Sequence, residues 1–205
     1  MNIAVVDYGI GNLGSIPNML ARAGAHAIVT SEPAVILEAD RLILPGVGAF
    51  DAGMRSLMDR GLVEALRRRT QEHGVMTLGL CLGMQLLFES SEEGALKGLG
   101  WIPGSVKRFR FPSDDIAHRV PHMGWNNVAA QSDRALLDGL GPEPRFYFAH
   151  SYYASPENPA DVVATTEYGN EFASIVRRDN IIGAQFHPEK SHRFGLGFLS
   201  NFISL

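Results

Sequence analysis

The chain has 205 residues, 45% hydrophobic and 20% charged, which is enough apolar material for one sizeable core and excludes a disordered or fibrous protein. A formal net charge of −4 without charge runs leaves no basic footprint for nucleic acid, and no apolar stretch reaches the roughly 18 residues of a membrane span. The opening MNIAVVDYGIGN has no basic leader, so no secretory signal is expected, and the single cysteine, Cys81, points to a reducing compartment, the cytoplasm.

In chain order, residues 2–7 are an apolar run rich in Val and Ile, a predicted strand that ends in the loop GIGNLGS. Ile16, Met19, Leu20 and Ala23 follow at helical spacing until Gly24. Residues 27–30 and 41–44 read as a second and third strand, the latter closed by Pro45-Gly46. Met54, Leu57, Met58, Leu62, Val63 and Leu66 mark the buried stripe of one long or broken helix. Residues 75–80 read as a fourth strand, and Met84–Phe88 begins another helix.

Strands separated by helical patterns predict a parallel sheet covered on both faces, with the strands' C-terminal ends gathered at one ligand-binding edge. The second half differs. Short β-rich pieces at 105–109, 125–129, 145–149, 162–166, 172–177 and 181–186 predict antiparallel or mixed strands, and a last helix covers 192–203. Without a repeat or a linker, residues 1–205 are expected to form a single α/β domain.

The most informative stretch is VMTLGLCLGMQLLFE, residues 75–89. A β-type run passes through Gly79-Leu80-Cys81-Leu82-Gly83 into a helical pattern, the cysteine counterpart of the G-x-S-x-G nucleophile elbow. A Cβ at either glycine would crowd the helix or the neighbouring strand. This geometry would expose the sulfur at the sheet edge and set it over a helix N-terminus, which favours thiolate. It would also free the Leu82 N–H to donate to an oxyanion. A lone cysteine in an apolar run is more often a small buried hydrophobe. The glycine frame at a strand-to-helix junction reverses that balance.

A thiol nucleophile needs a base, and the base an orienting partner. Of seven histidines, His26, His73 and His118 lie in polar or helical contexts and read as exposed. His187 follows the strand-like run 181–186 and opens His-Pro-Glu. On an extended backbone, residues two apart share a side, so Glu189 can support the imidazole, while Pro188 restricts the local backbone.

GLCLGMQLLFE together with GAQFHPEKS at 183–191 resembles the class I glutamine amidotransferase family. The resemblance runs end to end with one branch, the glutaminase subunits of imidazole glycerol phosphate synthase. It is carried by YGIGNLGS, PGVGAF at 45–50, GLGWIPGSVKRF at 98–109, PHMGWN at 121–126 and FYFAHSYY at 146–153. Related branches have a Gly-Gly-Pro-like or Gly-Gly-Glu-Ser-Thr-like oxyanion loop, from which Pro45-Gly46-Val47-Gly48-Ala49 departs.

The resemblance implies a flavodoxin-like class I amidotransferase fold that hydrolyses L-glutamine to glutamate and ammonia without a metal or other cofactor. Cys81 would attack the side-chain amide, His187 would protonate the leaving ammonia, and water would hydrolyse the thioester. Backbone N–H groups of Leu82 and of the Val47–Gly48 loop would hold the oxyanion. Gln85, Glu89 and the backbone near Ser151 would hold the amino-acid end, Glu89 lying on the same helix as Cys81. The implied partner is a separate (β/α)8 cyclase subunit, which uses the ammonia to make imidazole glycerol phosphate and aminoimidazole carboxamide ribonucleotide. Asn12, Trp125, Asn126, Tyr147 and Lys190 are the partner-facing candidates. A strand-core aromatic is the plainer reading of Trp125, and a solvated surface cation that of Lys190.

Three rivals deserve weight. Gly9-Ile10-Gly11-Asn12-Leu13-Gly14 satisfies G-x-G-x-x-G, with Glu32 near the place of a ribose-binding acid. Glu32 beside Pro33 looks more like a helix start, however, and no second mononucleotide-binding half of normal length follows. A stand-alone cysteine peptidase or amidase would keep the triad and change the substrate. A non-catalytic interaction protein would be expected to have lost a member of the triad. No H-E-x-x-H and no P-loop is present.

Overall fold

The computed structural model describes residues 1–11, 13–131 and 134–205. The first half winds as β1 (Asn2–Val6), α1 (Ser15–Arg22), β2 (His26–Thr30), α2 (Pro33–Glu38) and β3 (Arg41–Gly46). It continues through α3 (Phe50–Asp59), α4 (Leu62–Arg67), β4 (Met76–Cys81) and α5 (Leu82–Leu86). The second half adds strands β5 (Ser90–Ser91), β6 (Gly104–Arg108), β7 (His122–Asn127), β8 (Ala129–Ala130) and β9 (Arg145–His150). Strands β10 (Tyr152–Pro156), β11 (Val162–Tyr168), β12 (Asn170–Arg178) and β13 (Ile181–Ala184) precede α6 (His192–Ser204).

The strand order β2-β1-β3-β4-β13 is parallel throughout and has the doubly wound flavodoxin-like pattern. From β13 the sheet continues antiparallel through β12, β10 and β6, with β11 attached to β12 and β8 to β11, while β7 and β9 pair as a separate ribbon. Alternation along each central strand makes the two-faced core. Ala4, Val6, Leu42 and Leu44 pack with Ile36, Met54, Leu57 and Leu66 on one face. Ile3, Val5, Ile43, Leu78 and Leu80 pack with Ile16, Leu20, Phe198 and Phe202 on the other. Among the described residues no helix is long and apolar enough to cross a membrane.

The broken alternative of the predicted long helix is the observed one: Gly61, at φ +66°, separates α3 from α4. The helix after Cys81 is shorter than expected. It runs only from Leu82 to Leu86, so Glu89 is not on it, and an N-terminal dipole from little more than one turn is weak. His118 is half-buried instead of exposed, because its ring is packed by Phe111 and Tyr168 and its Nδ1 is held 2.8 Å from Asp115.

Candidate active site

Three neighbouring parallel strands bring the parts together. Cys81 ends β4 and lies in register with Gly46, the last residue of β3. On the other side β13 pairs with β4 up to Ala184, and His187 follows three residues later. The Cys81 backbone has φ 52° and ψ −108°, a sharp turn of the kind a nucleophile elbow requires. The glycines on either side are needed for space. A Cβ at Gly79 would lie 2.6 Å from the Gly83 carbonyl oxygen, and one at Gly83 would overlap the Leu44 carbonyl.

His187 lies against the β9 backbone, its N–H donating to the Tyr147 carbonyl at 2.9 Å. Pro188 opens a short 3-10 turn (Pro188–Lys190) that carries Glu189 back, and His187 Nδ1 meets Glu189 Oε1 at 2.8 Å. The pairing is the expected one, though a tight turn achieves it and a continued strand does not. The ring is buried, which by itself disfavours its charge. The hydrogen bonds to Cys81 and Glu189, and the negative charges of both, outweigh that and push His187 up to about 10. The Cys81 sulfur also receives the Gln185 amide at 3.8 Å.

A cleft of about 190 Å³ opens beside the sulfur, walled by Val47, Gly48, Leu82 and Gln85 on one side and Ala149, His150, Ser151 and Tyr152 on the other. This is below the roughly 300 Å³ of a drug-sized pocket and suits one small amino acid. A larger cavity of about 350 Å³ lies over β10–β12, but it contains neither cysteine nor histidine, so the chemistry selects the smaller cleft. Among the described residues no cluster of three His, Cys, Asp or Glu side chains could hold a metal ion.

The profile of the family described as glutamine amidotransferase class-I matches residues 4–204. The chain is 50% identical, over 98% of each sequence, to the imidazole glycerol phosphate synthase subunit HisH 2 of Methanococcus maripaludis. Its identity to the subunit of the same name in Pseudomonas aeruginosa is 48% over 99% of each. The chain belongs to the class I glutamine amidotransferases, in the branch of imidazole glycerol phosphate synthase glutaminase subunits. At the level of fold, the crystal structure of a putative GMP synthase protein from Thermoplasma acidophilum matches with a TM-score of 0.71 at 20% identity, covering 100% of this chain and 92% of that one.

Seen as an amidotransferase site, the cleft gathers Cys81, Leu82, Val47, Gly48, Gln85 and Ser151, with His187 and Glu189 lining the adjoining recess behind the sulfur. Glu89 is not brought there. It is exposed, beyond the end of α5, and its Oε2 accepts the Gly104 N–H at 3.1 Å. The acid that does line the amidotransferase cleft is Glu93, half-buried, with Oε2 accepting the Phe50 N–H at 2.8 Å. Sequence reasoning missed Glu93, which lies in a loop without periodicity. It also missed Gln185, a fully buried amide two residues before His187, whose signal is a lone polar residue inside an apolar strand-like run.

The glycine-rich loop after β1 has an internal use in this fold: a Cβ at Gly11 would lie 3.5 Å from the Gly46 Cα, so the loop packs against the chain's own 46–48 segment. Glu32 is the residue before α2, a helix start as expected. Of the partner-facing candidates, Asn12 lies outside the described residues. Trp125 is 44% exposed and not a core aromatic; its ring stacks on His192 at 5.5 Å and meets Tyr147 edge-on at 6.2 Å. The exposed Lys190 places its ammonium 5.5 Å from the centre of the Tyr147 ring. Asn126 is half-buried and donates to the Glu167 carbonyl at 2.8 Å.

Proposed function

We propose that residues 1–205 act as one glutaminase domain in which Cys81, His187 and Glu189 hydrolyse L-glutamine to glutamate and ammonia. The observation that carries this reading is the His187 ring, buried between the Cys81 sulfur and a Glu189 oxygen 2.8 Å away. With His187 held as the imidazolium, the sulfur has a cation beside it and the leaving nitrogen has a proton donor. The thiolate forms a C–S bond to the side-chain carbonyl carbon. As the tetrahedral adduct collapses, the C–N bond breaks and His187 gives its proton to the departing ammonia. The now neutral imidazole takes a proton from water, hydroxide attacks the thioester, and glutamate leaves as sulfur recovers its charge. The Leu82 N–H and a backbone N–H of Val47 or Gly48 are assigned to the oxyanion, where one such donor is worth about 10²–10³ in rate. Gln85, Ser151 and Glu93 are assigned to the amino-acid end.

The ammonia goes to a (β/α)8 cyclase subunit, which makes imidazole glycerol phosphate and aminoimidazole carboxamide ribonucleotide from a ribulosyl-formimino precursor. Trp125, Tyr147 and Lys190 form the face assigned to that partner. A reducing cytoplasm suits a nucleophile that must remain a free thiol. The test is glutamate release and synthase turnover by the chain with its cyclase. Cys81→Ala is expected to abolish glutamine-dependent synthesis and leave ammonia-dependent synthesis within about twofold; loss of both activities would place Cys81 in folding or docking.

A further inference from the structure

A chain of hydrogen bonds runs from the β7–β9 ribbon to the Cys81 sulfur, and the chemistry of its members settles its direction. The Tyr152 carbonyl can only accept, so His150 Nδ1, 2.7 Å away, carries the proton. A neutral His150 then has a bare Nε2, which must accept from His122 Nδ1 at 3.1 Å. The bare Nε2 of His122 in turn faces the Asn126 amide nitrogen, a donor, at 3.4 Å. From the same Tyr152 carbonyl the chain continues inward. Gln85 Nε2 donates to it at 3.0 Å and to Gln185 Oε1 at 3.1 Å, and the Gln185 amide reaches Cys81 Sγ at 3.8 Å.

His122, His150, Gln85 and Gln185 are all buried, where apolar side chains would fill the space without the desolvation cost of polar groups. The histidine rings sit in an aromatic box, His122 stacked on Tyr168 at 3.9 Å and on Phe148 at 4.9 Å. We propose that this chain is a positioning relay, in which His122, His150 and Gln185 hold the glutamine pocket and the Cys81 sulfur in register with β7 at Asn126. The proposal rests on the glutaminase reading for its consequence in catalysis, though not for the hydrogen-bond pattern.

Asn126→Asp tests the direction. A carboxylate at 126 cannot donate to His122 Nε2, so a neutral His122 must shift its proton there. His150 must then donate from Nε2 and turn a bare Nδ1 on the Tyr152 carbonyl. Asn126→Ala loses the same amide bonds, including the one to Glu167, but imposes no reversal. Nitrogen-15 imidazole spectra of the chain alone read the tautomers, and glutaminase kcat/KM is measured in the assembled synthase at saturating cyclase. The expected result is a His150 proton on Nε2 in Asn126→Asp only, with kcat/KM about fivefold below that of Asn126→Ala, the effect of one neutral hydrogen bond. A His150 that keeps its Nδ1 proton beside a neutral His122 in Asn126→Asp overturns the relay, as does a switched tautomer with equal kcat/KM in the two variants. Should Asn126→Asp not fold, or hold His122 as an imidazolium that donates from both nitrogens, His122→Phe keeps the ring stack and cuts the chain. A comparable loss of kcat/KM supports the relay, and parent-level kcat/KM overturns it. Because the tautomers are read without turnover, a wrong glutaminase assignment is distinguishable from a wrong relay.

Discussion

His187 takes opposing influences at a single ring: burial favours the neutral form, and the sulfur and Glu189 favour the cation strongly enough to hold it up to about 10. His187→Ala removes both the proton donor and the cation beside the sulfur, and is expected to lower kcat by about 10³. Glu189→Gln keeps an oxygen that can face Nδ1 and is expected to cost less; steady-state kinetics of the two variants check the order. Equal losses would give Glu189 more than an orienting part. At this scale the sequence was legible where residue type and spacing coincide with rare chemistry, as for Cys81 between two glycines and His187 before Pro-Glu. It was not legible for Gln185 or Glu93, whose importance comes from neighbours supplied by distant segments. Glu89 misled for a related reason: the resemblance assigned it to the pocket from a helix shared with Cys81, but the chain leaves that helix after Leu86.

The elbow depends on how closely β4 and α5 approach β3. Gly83→Ala drives a methyl group into the Leu44 carbonyl, backbone against which no side-chain rotation helps. A loss of about 3 kcal/mol or more is expected, read as a lowered denaturant midpoint. Gly79→Ala meets the Gly83 backbone and should cost a similar amount. Most elements in the parallel half could be recognised, because each strand is a short apolar run and each helix a periodic one. Helix α2 has six residues, too few for a periodic stripe, and only Glu32-Pro33 hinted at its start. The parallel return of β13 beside β4 was unreadable for another reason. The pairing joins residues about a hundred positions apart, after a run of antiparallel strands, and no local pattern encodes such a distance.

Across the whole molecule, three buried histidines set opposite limits on stability with pH. His187 has its folded value raised from 6.5 to about 10, so its contribution is fully present below about pH 6.5 and is lost as pH rises through about 10. His122 and His150 are lowered by burial to about 4 and about 3, so their contribution is present above pH 6.5 and is lost as pH falls through those values. Melting temperatures across pH 3–10 are expected to peak near pH 6.5, with the alkaline slope shallower in His187→Gln. An unchanged alkaline slope in that variant would remove His187 as its cause. The aromatic surface around β7 has a separate use. Of the two tryptophans, Trp101 is buried and Trp125 lies open beside His192 and Tyr147. Light emitted by Trp101 should therefore be indifferent to the surroundings, while that of Trp125 should change colour and brightness whenever something covers the ribbon. The protein thus has a built-in optical gauge of its own assembly, needing no attached dye.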